Sequence, residues 1–441
     1  MGLPRRRARP AQDLRQTLIA NVALAGLGFV TGVTAARLLG PTGRGDLAAI
    51  QLWPGVLAVL AMLGMSDALA FFSAKDGERV NVYLTTAIGV ALVSSILFVA
   101  GGIFIIPLAL HSYPADVVSA AQRYLLLVPL YALVLLPCHV LRGMTEFGWW
   151  NVLRVAPSAA WLLVLATAAI LGTASPGGLA DGNLIALAVL GIAVAVVVLR
   201  KVPGPYRSGT AEARKLLRFG LPAAGAFVPQ LLNLRLDQLI MAAVLPARSL
   251  GLYVVAVAWS SAVNPLLFAI GMVLLPKVAG ATDHEVRQQI LVRTVRIGVW
   301  VAAGTVLIVA VLTPLAFRLL FSNAYRPAVP AAIVLVVAGG LFGLNFILAE
   351  GIRGLGRPAI TLYAEVGGLV LTGASLALLL RPFGIVGAAW GSVVGYGTVT
   401  AGLLTYLRRE MPDLRGSILT WPALRETMAA CLRFVRRHPD A

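Results

Sequence analysis

Twelve apolar stretches follow one another along this chain, each 18 to 29 residues long, and little is left over. A helix needs about 20 predominantly apolar residues to cross the hydrocarbon core of a bilayer. The spans are expected at 16–38, 47–72, 82–109, 120–141, 154–173, 183–200, 217–245, 250–275, 295–320, 328–350, 359–380 and 385–407. Apolar residues make up 59% of the chain and charged ones 12%, about half the roughly 25% typical of soluble domains. So few charges cannot clothe a surface in water, so most of the surface must face lipid. Backbone amides have no water to bond there, which leaves helices or a closed barrel. A barrel needs alternating strands of about ten residues, and runs such as Leu184–Leu199 do not alternate. The expected fold class is an all-α polytopic membrane protein of about twelve transmembrane helices. The first span follows Arg5, Arg6, Arg7 and Arg9. It is longer than the 7–15 residues of a signal-peptide core, so it is expected to be retained.

The net charge is +18, and its distribution gives it a meaning. With the N-terminus placed in the cytoplasm, 28 of the 36 basic residues fall on the inner side and seven on the outer side. Arg235 sits in the middle of a span, away from both rims. That bias sets orientation, so both termini are expected in the cytoplasm. The basic charge is topogenic and suited to anionic lipids. Nucleic acid is not an expected partner.

The two sixes resemble each other. Ala36, Leu39, Gly45 and Trp53 match Ala242, Leu245, Gly251 and Trp259 at an offset of 206. Leu141-Arg142-Gly143-Met144 matches Ile352-Arg353-Gly354-Leu355 at 211. Each half has an even number of spans, so the repeats are parallel, related by an axis along the membrane normal. The expected organisation is an N-terminal six-helix bundle (1–204), a C-terminal six-helix bundle (205–407) and a basic cytoplasmic tail (408–441). The connector 200–218 is basic and broken by Pro and Gly, which predicts a flexible joint. Residues 415–437 fit an amphipathic helix lying on the inner leaflet.

Enzyme signatures are absent from the sequence. Cys138 and Cys431 are not placed for a disulfide, and the four histidines are scattered. No loop holds paired carboxylates, a metal cluster or a phosphate-cradling glycine loop. No cofactor or metal is expected, and the chain is read as a protein without enzymatic activity.

Charges inside a membrane cost roughly 2.5–3.5 kcal/mol each on insertion-type scales. They are functional candidates by default. Span seven holds Gln230, Asn233, Arg235, Asp237 and Gln238. On a continuous helix Gln230, Asn233 and Asp237 share a 60° arc, Gln238 widens it, and Arg235 points away. Two readings stand side by side: a cavity wall for a polar substrate, or structural pairing between helices. Asp67, in span two, is a candidate for coupling or simply reaches the interface. Arg37, at the outer end of span one, is a binding candidate or snorkels to the surface. Glu365 and Arg154 are repeat mates at offset 211 and carry opposite charges, which suggests a cytoplasmic gate. Pro54, Pro222, Pro265 and Pro276 are either hinges or static packing.

The run from Thr34 to Ala48, Thr-Ala-Ala-Arg-Leu-Leu-Gly-Pro-Thr-Gly-Arg-Gly-Asp-Leu-Ala, resembles the first outer loop of bacterial polysaccharide-biosynthesis flippases. These belong to the multidrug/oligosaccharidyl-lipid/polysaccharide exporter superfamily. Phe219–Ala224 with Arg235-Leu-Asp-Gln238 is similar to that family's seventh helix, and Ile352–Pro358 to the stretch before its eleventh. The resemblance spans residues 14–407. It implies two bundles around a central cavity, working by alternating access. It also implies the cargo: an oligosaccharide on a polyprenyl diphosphate, flipped from the cytoplasmic to the outer leaflet for surface polysaccharide synthesis. Glycan polymerase or glycosyltransferases would be its partners. Arg235, with Arg37, matches the basic residues proposed to hold the diphosphate. Twelve spans and one mid-span arginine depart from the lipid II branch, which usually has fourteen helices and a more cationic cavity. Two rivals stand beside this: a multidrug exporter coupled through Asp67, Asp237 and Glu365, and a membrane enzyme of glycan assembly.

Overall fold

The computed structural model describes residues 10–202, 204–281 and 283–410. Among these the chain is helical, with no strand. The helices are α1 (Pro10–Ala61), α2 (Met65–Lys75), α3 (Val80–Ala109), α4 (Ala115–Tyr124), α5 (Leu127–Gly143), α6 (Phe147–Leu171) and α7 (Pro176–Lys201). They continue as α8 (Thr210–Asn233), α9 (Leu236–Val244), α10 (Ala247–Ser260), α11 (Asn264–Gly280), α12 (His284–Leu320), α13 (Val329–Gly354) and α14 (Pro358–Glu410). The tail, with Cys431 and the expected amphipathic helix, lies outside the described residues.

Two helices are too long to be one span. α1 has 52 residues and α14 has 53. At about 1.5 Å per residue each would run nearly 80 Å, against a hydrocarbon core of about 30 Å. Each carries one break, at Gly40 (φ 65°, ψ 178°) in α1 and at Gly384 (φ 54°, ψ −132°) in α14. Glycine takes a positive φ without a Cβ penalty. Pro41 and Pro382 beside the breaks lack the N–H that would continue the ladder. Nine helical stretches among the described residues are long and apolar enough to cross a membrane. Two of them, holding α1 and α14, contain two spans each, and the more polar α8–α9 stretch supplies the seventh. The expected twelve spans are thereby accounted for.

The chain forms two compact units. The first is Met1–Leu231 with Gln238–Val254, and the second is Leu232–Asp237 with Val255–Ala441. In the first, α5 is the central helix, packed by α1, α2, α3, α6 and α7. In the second, α13 is central, packed by α11, α12 and α14. These two helices are repeat mates. The pattern follows from lipid as solvent: association relies on close packing, which small residues allow. Gly339, Gly340 and Gly343 of α13 are buried for this purpose. Large apolar side chains instead face outward, as Phe104, Leu108, Ile170 and Leu378 do.

The first unit also contains a contact between repeat mates. A Cβ on Gly45 would lie 1.7 Å from the Ala247 carbonyl oxygen, and one on Gly251 would lie 1.9 Å from that of Pro41. Backbone meets backbone there, and no side chain fits.

The connector differs from the flexible joint expected over 200–218. Only residues 202–209 lie between α7 and α8, and Pro205 and Gly209 among them are tied down. Asn81 Nδ2 donates to the Pro205 carbonyl at 2.7 Å. The Gly209 N–H donates to Thr86 Oγ1 at 3.2 Å. Arg79 pairs with buried Glu212 at 2.5 Å. The polar residues that suggested looseness are the ones that dock the segment on the first unit.

Of the expected hinge prolines, Pro54, Pro222 and Pro276 lie inside continuous helices. Pro265 lies in the first turn of α11, after a 3-10 turn at Ser261–Val263 that tightens span eight without interrupting it.

A candidate functional site in the second unit

Span seven is not the continuous helix assumed for the 60° arc. It stops at Asn233 and resumes at Leu236, with Leu234 and Arg235 in a turn. No proline sits at the break. What holds it is a set of polar side chains packed around its two ends, all within the second unit.

Asn233 is buried, 3% exposed. Its Nδ2 donates to Glu365 Oε2 at 2.8 Å and to the Glu365 carbonyl oxygen at 3.0 Å. Its Oδ1 accepts from Thr372 Oγ1 at 3.4 Å. Its backbone carbonyl, freed by the break, accepts from the Tyr396 hydroxyl at 3.4 Å. Across the break, buried Asp237 accepts from Ser392 Oγ at 3.1 Å. A second layer supports Tyr396. Asn345 Nδ2 donates to its carbonyl at 3.0 Å, and Thr400 Oγ1 donates to Asn345 Oδ1 at 2.6 Å. Glycine makes room: a Cβ on Gly395 would sit 1.9 Å from Thr372 Oγ1.

Three of the residues singled out in the sequence thus lie buried around the break, Asn233 and Glu365 in one hydrogen-bonded cluster and Asp237 bonded to Ser392 on its other side. Their partners Thr372, Ser392, Tyr396, Asn345 and Thr400 were not anticipated. One signal was there to read: Ser392, Tyr396 and Thr400 recur every fourth residue of an apolar helix, which places them on one face. The remaining candidates lie elsewhere. Arg235 is exposed at the break. Gln230 (half-buried), Gln238 (buried), Arg37 and Asp67 (both exposed) belong to the first unit. Arg154 also belongs there, where it bonds Asn21 Oδ1 at 2.7 Å and Asn151 Oδ1 at 3.3 Å. Glu365 and its repeat mate Arg154 therefore each have polar partners inside their own unit.

Chemically, the surroundings of the break offer two buried carboxylates together with amide and hydroxyl oxygens. Oxygen ligands of this kind suit a proton or a hard cation rather than a soft metal. No cluster of three or more His, Cys, Asp or Glu residues with metal-ligand geometry occurs among the described residues. An interrupted helix at membrane depth is tolerated where it is buried in protein or lines a cavity. Such breaks commonly mark the substrate and ion sites of transporters.

The sequence profile of the family described as polysaccharide biosynthesis protein matches residues 12–280. A search of curated proteins by sequence returns no match. Among solved structures the chain is similar to the lipid II flippase MurJ in an inward closed conformation, with TM-score 0.75 and 15% identity over 94% of this chain and 92% of that one. It is also similar to an inward-facing multidrug resistance MATE family transporter of the MOP superfamily, with TM-score 0.64 and 16% identity over 91% and 96%. The MATE multidrug transporter DinF-BH in complex with R6G gives TM-score 0.63 and 16% identity over 93% and 98%. At these identities the likeness is one of fold. The profile covers more than half of the 441 residues, and the chain belongs to the polysaccharide biosynthesis protein family, built on the multi-span helical fold shared with MurJ and the MATE transporters.

Proposed function

We propose that this protein is an alternating-access flippase that carries a polyprenyl-diphosphate-linked oligosaccharide from the cytoplasmic to the outer leaflet. The observation that carries the reading is the broken seventh span. A turn at Leu234 and Arg235 interrupts the helix in mid-span between buried Asn233 and Asp237. Backbone of that kind is costly in lipid and is retained where a polar cargo or ion needs it. The cargo class is read from the resemblance to polysaccharide-biosynthesis flippases, and membership of the polysaccharide biosynthesis protein family supports it. A hydrated glycan and its diphosphate cannot cross hydrocarbon unaided, whereas the polyprenyl tail can stay in lipid. Arg235, with Arg37 at the outer end, is the cationic group for the diphosphate. Asp237 and Glu365 are the groups through which an ion gradient would drive the cycle. The 28-to-7 split of basic residues supports both termini on the cytoplasmic side.

Reconstitution into vesicles containing a fluorescent lipid-linked oligosaccharide tests this directly. Wild-type protein is expected to expose the glycan on the opposite leaflet, and Arg235→Ala to slow that exposure at least tenfold. Drug efflux without flipping would instead favour the multidrug exporter, which the buried Asp237 and Glu365 also suit. Glycan joining would favour a membrane enzyme of glycan assembly.

A further inference from the structure

The inner end of spans four and five carries two arginines that lack acids. Arg142 lies in the last turn of α5 and Arg154 in the second turn of α6. Both guanidinium groups lie on one ring: the Cζ of Arg154 is 4.3 Å and that of Arg142 5.6 Å from the centroid of Trp150. Among the described residues neither makes an ion pair. The acid nearest in sequence, Glu146, is taken by Lys201 at 3.3 Å.

An arginine that merely reaches for water extends freely from its helix. Arg154 does not. It is half-buried, bonded to Asn21 and Asn151, and stacked on Trp150. Asn151 is buried and anchored in turn, its Nδ2 donating to Thr17 Oγ1 at 3.2 Å. Arg154 Nε is buried and has no partner. Fixing a long side chain costs rotamer entropy, and withdrawing its charge from water costs more. Neutral amides and a ring hold the guanidinium in place without cancelling its charge. The repeat mates show the contrast: Arg353 is paired with Glu350 at 2.7 Å, and position 365 holds a glutamate.

We infer that Arg142, Arg154 and Trp150 form an inner-rim site for the phosphate group of a membrane lipid. Two planar guanidinium groups beside one ring present several N–H donors to phosphate oxygens, a bidentate geometry that lysine does not reproduce. Exposed Arg142 meets the headgroup first, and half-buried Arg154 draws it inward. The site deepens the flippase reading and rests on it for its place at the cytoplasmic face. It serves to collect a diphosphate lipid from the inner leaflet before transport. The same chemistry would accept the phosphate of an anionic glycerophospholipid.

The test is equilibrium binding to the full-length protein in phosphatidylcholine nanodiscs, with undecaprenyl diphosphate, phosphatidylglycerol and inorganic pyrophosphate as probes. Arg142→Gln and Arg154→Gln are each expected to weaken undecaprenyl diphosphate binding about tenfold, and the pair about a hundredfold. Arg154→Lys should restore only part of the loss. A parallel loss of phosphatidylglycerol binding would show a general lipid-phosphate site. Loss confined to undecaprenyl diphosphate, with pyrophosphate binding weakly, would show a carrier-selective one. The inference is overturned if the double variant binds both lipids within about twofold of wild type. Arg142 is exposed and makes no ion pair among the described residues, so Arg142→Gln keeps the test valid even if the Arg154 variants fold poorly. Binding is read without transport, so a protein that binds but never flips would refute the flippase and leave the site standing.

Discussion

Spans five and eleven occupy the same place in the two repeats, and each carries one charged side chain bonded to an asparagine. In the first unit Arg154 donates to Asn21 of span one; in the second, Glu365 accepts from Asn233 of span seven. The span pairing is shared, but the chemistry is opposite. On the arginine side the charge is braced and left uncancelled, with an exposed second arginine beside it. On the glutamate side the acid is buried and satisfied by an amide that also closes a helix break. The scaffold is alike on the two sides, while one asparagine accepts from a cation and the other donates to an acid.

This contrast can be broken experimentally. The largest effect is expected from Asn233→Leu, which removes the amide that donates to the buried Glu365 carboxylate and to its backbone carbonyl. Losing a partner to a buried polar group costs about 1–3 kcal/mol, more when it is charged. A lowered midpoint in detergent unfolding is the readout. Asn21→Leu should cost less, below about 1 kcal/mol, because Arg154 retains Asn151 and Trp150. Equal losses at the two asparagines would erase the asymmetry. Glu365→Gln keeps an oxygen to accept from Asn233 and should change stability little. In vesicles it is expected to abolish the response of flipping to an imposed ion gradient, and an unchanged response would remove Glu365 from coupling. Smallest is Arg79→Lys at the connector, which keeps a cation beside buried Glu212 and is expected to shift stability by less than about 1 kcal/mol.

Much of this was legible beforehand. The spans and their number follow from hydropathy, because lipid imposes length on every crossing, and the repeat from residues matched at near-constant offsets. The breaks at Gly40 and Gly384 were readable from the glycine and the neighbouring prolines. The break in span seven was not: Leu234 and Arg235 carry no turn signal, and what holds the interruption is tertiary, supplied by Glu365, Thr372 and Tyr396 from far along the chain. The opposite charges of Arg154 and Glu365 suggested a pair, because pseudo-symmetry reports equivalent depth and says nothing of partners. Asn21 lies 133 residues from Arg154, and no local pattern announces that contact. The connector misled for a related reason. Proline, glycine and charge read as looseness until Asn81, Thr86 and Arg79 are seen to engage it.

The meeting of Gly45 with Gly251 sets how closely α1 and α10 can approach. A Cβ at Gly45 or at Gly251 would fall 1.7 Å or 1.9 Å from a carbonyl oxygen of the other helix. A backbone oxygen cannot swing aside as a side chain can, so alanine at either position has to move a whole helix. The cost of either change is therefore spread along the length of two spans, and the pair acts as a spacer that tolerates no thickening on either side.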